Sequence, residues 1–290
     1  MKLNKKDALS KLQDEELCIL NDFAHFCNKH SLTWFLDSGT MLGAVRHKGF
    51  IPWDDDIDVG MLRPDYDKFI SLANEGFNPI DCKINTYENT PGYAEMFAKV
   101  TRNGTLFQTN ETVSGDCRLG IFIDVFPYDA LPCSRRKASK AILSTRRWQY
   151  LSYLYRSSSI NVPHEGLIGW AEKTLCKIAH PIVRLFFSRE RIRTEYLKAV
   201  KRASTYALDD KDGYRLISYP YPVAPGFDPS DITPLGKQLF EGKLYPAPKN
   251  ENRYLEAMYG NWQKIPDEAD RKTHMPQKIV FTSGDIFVAE

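Results

Sequence analysis

The residues best suited to chemistry crowd into one short stretch. Five of the eight positions from Pro52 to Val59 are tryptophan or aspartate, and Asp54, Asp55, Asp56 and Asp58 fall within five positions. Carboxylates held side by side raise one another's pKa unless a positive charge lies between them. The simplest such charge is a hard divalent cation. Mg²⁺ takes one or two carboxylates together with substrate phosphate oxygens, and Mn²⁺ suits the same donors. The alternation Asp56-Ile57-Asp58-Val59 has the period of a half-buried strand, which sends Asp56 and Asp58 to one face and Asp55 to the other. Asp54 and Asp55 read as turn residues or as residues behind the ligands, with Asp54 the one of the two that is a further candidate metal ligand.

A third carboxylate fits this arrangement. Gly120 to Pro127 reads GIFIDVFP, with Asp124 as its one charge. A lone acid in an apolar strand is either partnered or neutral. If this strand lies beside the first, Asp56, Asp58 and Asp124 converge. Upstream, Ser38, Gly39 and Thr40 place small residues where backbone can approach phosphate at a helix start. Arg46, His47 and Lys48 then supply donors for phosphate, Arg46 first because its planar fork matches phosphate oxygens. Lys99 and Arg102 are further candidates, each also readable as a solvated edge charge.

The elements that must position these groups can be sketched from periodicity. Residues 7–30 read as an amphipathic helix and 32–36 as a short buried strand. A helix starts near Thr40, and another spans Asp65 to Ala73. Met96 to Arg102 is a strand, with a turn at Asn103-Gly104 and Thr105–Phe107 as its return partner. The Asp124 strand ends at Pro127. Residues 209–235, rich in proline and aromatics, have the character of a binding loop. Tyr254 to Tyr259 is a short helix stopped by Gly260.

Composition excludes several classes. Apolar content of 42% and charged content of 26% are those of a globular protein. The cysteines show no C-x-x-C spacing, which speaks against a zinc site and for a reducing compartment. No signal-like or bilayer-length apolar run is seen, so the expected place is cytoplasmic, with a peripheral position on the cytoplasmic membrane face. The net charge of +2 hides an asymmetry: residues 131–203 hold 16 Lys/Arg against 4 Asp/Glu, a net +12, leaving −10 for the rest. Apolar residues there recur at helical spacing, with residues 161–166 separating two helical stretches and Pro181 kinking or breaking the second. Basic helices carrying Trp148, Trp170 and Phe186 suit an anionic membrane surface. The alternative is a helical subdomain whose aromatics pack on the core. No nucleic-acid motif accompanies the charge, so nucleic acid is not expected as a partner.

A small Gly/Ser turn, an Asp-x-Asp strand and a distant Asp strand resemble the nucleotidyltransferase superfamily. The wording GTMLGAVRHKGFIPWDDDID with a later IFIDVFP resembles the LicD family more closely. Phe240, Glu241 and Gly242 match that family's pattern, and YGNWQKIPDEADRKTH resembles its closing motif, where Trp262, Arg271 and His274 could reach the site. The resemblance covers most of the chain outside about 131–205. It implies an α+β fold: a nucleotidyltransferase-like mixed sheet core with flanking helices, in a single catalytic domain over 1–290 with a basic, mainly helical insertion at about 131–205. It further implies transfer of phosphocholine or a related phospho-group from a CDP-activated donor such as CDP-choline to a sugar hydroxyl of a cell-surface glycan or lipid-linked glycan, lipopolysaccharide among them, releasing CMP. Attack on the phosphorus nearer the nucleoside would instead be nucleotidyl transfer, and the motif does not separate the two. An Asp-x-Asp glycosyltransferase is the runner-up. A calcium loop fits poorly, since its glycine falls one place late at Gly60 and position 12 is Asp65. A binding-only relative is disfavoured by the intact acids.

Overall fold

The computed structural model describes residues 1–289 apart from 110, 111, 114, 159–165, 272 and 274. At its centre β2 (Asp58–Leu62) lies parallel to β6 (Phe122–Pro132). β1 (Phe35–Leu36) flanks β2, while β4 (Ala98–Arg102) and then β3 (Cys82–Asn85) continue antiparallel beyond β6. β7 (Tyr214–Ile217) pairs with the far end of β6. The fold is α+β with a mixed sheet, as expected from the sequence.

Two strand expectations need correction. β6 does not stop at Pro127 but runs on to Pro132. The Asp124 N–H bonds the Ile57 carbonyl on the β2 side at 2.8 Å, so odd-numbered N–H groups face β4. Pairing with β4 ends at Val125, and the N–H that Pro127 lacks falls where no ladder remains to be fed. The second correction concerns Thr105–Phe107. Both edges of β4 are already taken by β3 and β6, so β5 (Leu106–Gln108) pairs instead with β10 (Lys278–Val280), which also carries β11 (Ile286–Val288).

Helix α1 (Lys5–Lys29) starts at Asn4, whose side chain accepts from the Asp7 N–H at 2.9 Å. Its Leu12, Ile19, Phe23 and Phe26 are buried in the main core. α3 (Arg63–Asn74) leaves β2 directly, whereas α2 (Ser38–His47) reaches it through residues 48–57. Arg63 clamps the start of α3 to β6 with a two-pronged bond to Asp129, 2.8 Å from Nε and 2.6 Å from Nη2.

The basic segment forms α4 (Arg135–Arg156), α5 (Gly166–Phe186) and α6 (Arg189–Leu208). Ile192, Tyr196 and Val200 of α6 build a second apolar cluster with Leu131 and Ile217 from the sheet's far end. α5 continues through Pro181 rather than breaking there. Residues 161–165, where the sequence suggests a break between helices, lie outside the described residues. A short helix α7 (Pro229–Ile232), the hairpin β8 (Gly236–Phe240) and β9 (Lys243–Ala247), and α8 (Glu251–Tyr259) follow. Gly260 ends α8 with φ of 66°, as its sequence predicts.

Candidate active site

The parallel register of β2 and β6 sets Asp58 directly beside Asp124. Partners in register share a face of the sheet, so both carboxylates meet the same space. Strand β2 begins at Asp58, two positions later than the alternation suggests. Asp56 lies in the extended lead-in, which the Asp124 N–H to Ile57 carbonyl bond holds against β6. Asp56, Asp58 and Asp124 all line one cleft of about 680 Å³, a size that suits a small-molecule substrate. The backbone of Asp58 is fixed from outside, its N–H donating to Thr40 Oγ1 at 2.8 Å.

The acids tell on one another. Burial, then Asp56 and Asp124, push the Asp58 carboxyl well above the usual carboxylate range. Burial, then Asp56 and Asp55, raise Asp54 to about 8. Asp124 is raised to about 6, burial outweighing the opposite pull of Lys99, whose Nζ lies 2.5 Å from Oδ1. Glu16 of α1 is buried beneath this cluster and is also pushed far upward, first by burial and then by Asp56 and Asp55. So much like charge in a buried site would be relieved by a cation placed among these carboxylates.

Aromatic side chains form the rest of the cleft: Phe126 and Tyr128 from β6, Tyr150 and Tyr153 from α4, Tyr221 from the proline-rich loop, and Tyr259 at the end of α8. Tyr221 stands edge-on to Phe126, with ring centroids 5.5 Å apart. Arg146 and Gln149 of α4 also line it.

Residues 31–152 match the family model described as LicD/FKTN/FKRP, nucleotidyltransferase domain. The chain is also 25% identical over 288 residues to the lipopolysaccharide cholinephosphotransferase LicD of Haemophilus influenzae, covering 92% of this chain and 97% of that one. Over residues 31–152 the chain is thus similar to the LicD family. Uncharacterized proteins of Rickettsia typhi and Rickettsia prowazekii share 39% identity with it over 64 residues, 22% of this chain and 19% and 22% of theirs.

The segment that matches the family model carries the three cleft aspartates and the α2 residues that the sequence singled out, but these α2 residues do different jobs. Ser38 lines the cleft. Its N–H, at the helix start where phosphate might have bound, already donates to Asp37 Oδ1 at 2.8 Å and to the Tyr254 hydroxyl at 2.9 Å. A Cβ on Gly39 would stand 2.9 Å from Asp54 Oδ2, so that glycine admits the Asp54 carboxylate. Arg46, His47 and Lys48 are not among the residues that line this cleft. Arg46 donates to His47 Nε2 at 3.0 Å and to the Trp262 carbonyl at 3.2 Å, and Lys48 Nζ to the Val45 carbonyl at 3.2 Å. Glu241 braces the following turn. Its Oε1 accepts from the Phe50 N–H at 3.0 Å, and the space a Cβ on Gly49 would need is filled by that carboxylate. Lys99 is buried on Asp124 and packs over the Phe122 ring at 3.5 Å. Arg102 turns away to Asp22 at 2.8 Å. His274 lies outside the described residues.

Asp37 is the acid that the sequence reading passes over. It caps α2 and is buried, accepting from the hydroxyls of Tyr128, at 2.7 Å, and Tyr254. Burial raises its pKa against the pull of those bonds. The signal was present, since Asp before a Ser-Gly-Thr helix start is a cap. Replacing Tyr254 by Phe removes one of these buried bonds; the expected cost is about 1–2 kcal/mol of stability, read by denaturant unfolding.

As for a cation, no three His, Cys, Asp or Glu side chains among the described residues stand arranged as a finished cage. Asp56 and Asp58 nonetheless fit Mg²⁺, which asks only one or two carboxylates of the protein and takes the remainder from water and phosphate. Asp124 fits less well as a ligand, because one of its oxygens is engaged by Lys99.

Proposed function

We propose that this protein is a phosphotransferase that moves phosphocholine from a CDP-activated donor to a sugar hydroxyl of a glycan, with release of CMP. The observation that carries the reading is the mixed lining of the cleft, in which the carboxylates of Asp56, Asp58 and Asp124 share one space with the rings of Phe126, Tyr150, Tyr153 and Tyr221. Such a cleft suits a ligand that is anionic and metal-bridged at one point and cationic but non-hydrogen-bonding at another. A trimethylammonium group is recognised by aromatic faces, and a pyrophosphate by a divalent cation. Relationship to a cholinephosphotransferase over nearly the whole chain points the same way.

Mg²⁺ bound by Asp56 and Asp58 would neutralise charge on the leaving phosphate. Phosphoryl transfer asks little else of a protein than positioning and electrostatics. Asp124, with its carboxyl near neutral pKa and steadied by Lys99, is suited to take the proton of the attacking hydroxyl. Arg146 of α4 lines the cleft and offers donors to phosphate oxygens, while the Gln149 amide is held by the Tyr153 hydroxyl and the Pro220 carbonyl. Arg146→Ala is expected to raise the donor KM about tenfold with the fold intact. Tyr221→Leu is expected to lose about tenfold of any preference for CDP-choline over CDP-ethanolamine.

The deciding experiment incubates the protein with CDP-choline, Mg²⁺ and glycan acceptors, and identifies both products. CMP with a phosphocholine-bearing glycan supports the proposal. Free phosphocholine with a CMP-bearing glycan would make it a nucleotidyltransferase, and turnover of a nucleotide-sugar alone would make it a glycosyltransferase.

A further inference from the structure

Helix α5 carries an apolar stripe that the protein does not cover. Ile168, Leu175, Ile178, Ile182 and Leu185 follow one another at helical spacing and are all exposed, Leu185 at 78% and Leu175 at 65%. Trp170, 69% exposed, and Phe186 flank the stripe. The other side of the helix faces inward, with Val183 buried and His180 Nδ1 2.6 Å from the Leu154 carbonyl of α4. The aromatic residues of the basic segment therefore divide: Trp148 packs into the second core cluster against Phe187, while Trp170 and Phe186 stay outside.

The stripe is neither a span nor an isolated oddity. Among the described residues no helix is long and apolar enough to cross a membrane, and α5 itself bears Glu172, Lys173, Lys177 and Arg184. Next to it on α4 lies a shallow apolar groove of about 870 Å³, edged by Lys140, Arg146 and Arg147 and floored by Leu143, Leu151 and Phe187. Arg146 and Tyr150 line both this groove and the acid cleft, so the uncovered apolar surface runs up to the cleft's rim. The segment containing it has a net charge of +12.

We infer that α5 and the adjoining face of α4 are a docking surface for anionic lipid, which seats the rim of the cleft against the membrane. Apolar side chains on one arc with Lys and Arg around them are what an interfacial helix needs, and cations near an anionic leaflet add to its hold. A second copy seated stripe to stripe would bring two such basic surfaces together, which like-charge repulsion opposes. Lipid of negative charge satisfies both features at once. The inference does not depend on which phospho-group the cleft transfers.

The test is co-sedimentation of the full chain with phosphatidylcholine vesicles, with and without phosphatidylglycerol. Binding to the mixed vesicles should exceed binding to neutral ones by roughly tenfold or more, and should weaken as salt screens the surface. Both positions of the double variant Leu175→Asp/Leu185→Asp are exposed, so it should keep its circular dichroism and melting temperature while losing roughly tenfold or more of that binding. Equal binding to the two vesicle types, or none at low salt, overturns the inference. So does a wild-type dimer that the double variant converts to monomer, since the stripe would then be covered by a second copy.

Discussion

Asp58→Asn should cut turnover on the order of 10³-fold while leaving the protein folded. The side chain keeps its shape, and its backbone stays fixed by the bond from its N–H to Thr40. What is lost is one negative charge on the cleft. If Asp58 holds the cation, the donor pyrophosphate loses its neutralising partner and the leaving phosphate must depart with its charge exposed. A residue of structural importance alone would behave in the opposite way. The Asp58 carboxyl is pushed up chiefly by burial and by its acidic neighbours, so removing the charge relieves the metal-free fold. The expected signature is therefore turnover that collapses with a melting temperature that is unchanged or higher. Asp56→Asn should do the same. CMP release from CDP-choline reads the activity, and loss of less than about tenfold in both variants would remove these two carboxylates from the reaction.

How much of this was legible in the sequence depends on whether a residue's neighbours are set locally or across the fold. Asp58 and Asp124 were legible because each sits in an apolar strand whose period alone fixes its face, and two such strands side by side bring them together. Asp37 was legible in principle as a cap. Glu16 left a fainter mark, a charge on the apolar face of α1 between Leu12 and Ile19. The cleft's other half was out of reach. Arg146, Gln149, Tyr150 and Tyr153 recur at helical spacing, as any residues of a helix do, and nothing local says that this face of α4 closes over the acids. Tyr221 lies in a loop that composition marks as binding, but its approach to Phe126 is set by tertiary packing. Arg46 shows the converse case. Its chemistry suits phosphate and its position in the motif is suggestive, yet α2 turns it toward Trp262, a residue 216 positions away. The mispaired Thr105–Phe107 has the same origin: a good turn at Asn103-Gly104 promises a hairpin only if the strand before it has an open edge, and the edges of β4 were claimed from elsewhere.

The same crowd of acids makes the protein's stability a reporter of metal. A carboxyl whose folded pKa stands above its unfolded value holds its proton more tightly when folded, so it costs stability as pH rises between the two values. Asp54 at about 8 and Asp124 at about 6 place that loss between about pH 4, the ordinary carboxylate value, and pH 8. The metal-free protein should therefore melt lower at pH 8 than at pH 5. Mg²⁺ competes with protons for the same oxygens, so its effect must run the other way and be greatest at pH 8. A ligand at about a hundred times its Kd stabilises by about 2.7 kcal/mol, which in a chain of this size raises the melting temperature by about 4 °C. The rise should shrink at pH 5, reverse with chelator and be largely lost in Asp58→Asn. An increment of equal size at both pH values, or one retained in the double variant Asp56→Asn/Asp58→Asn, would mean that the ion stabilises the protein from some other place and that these carboxylates do not hold it.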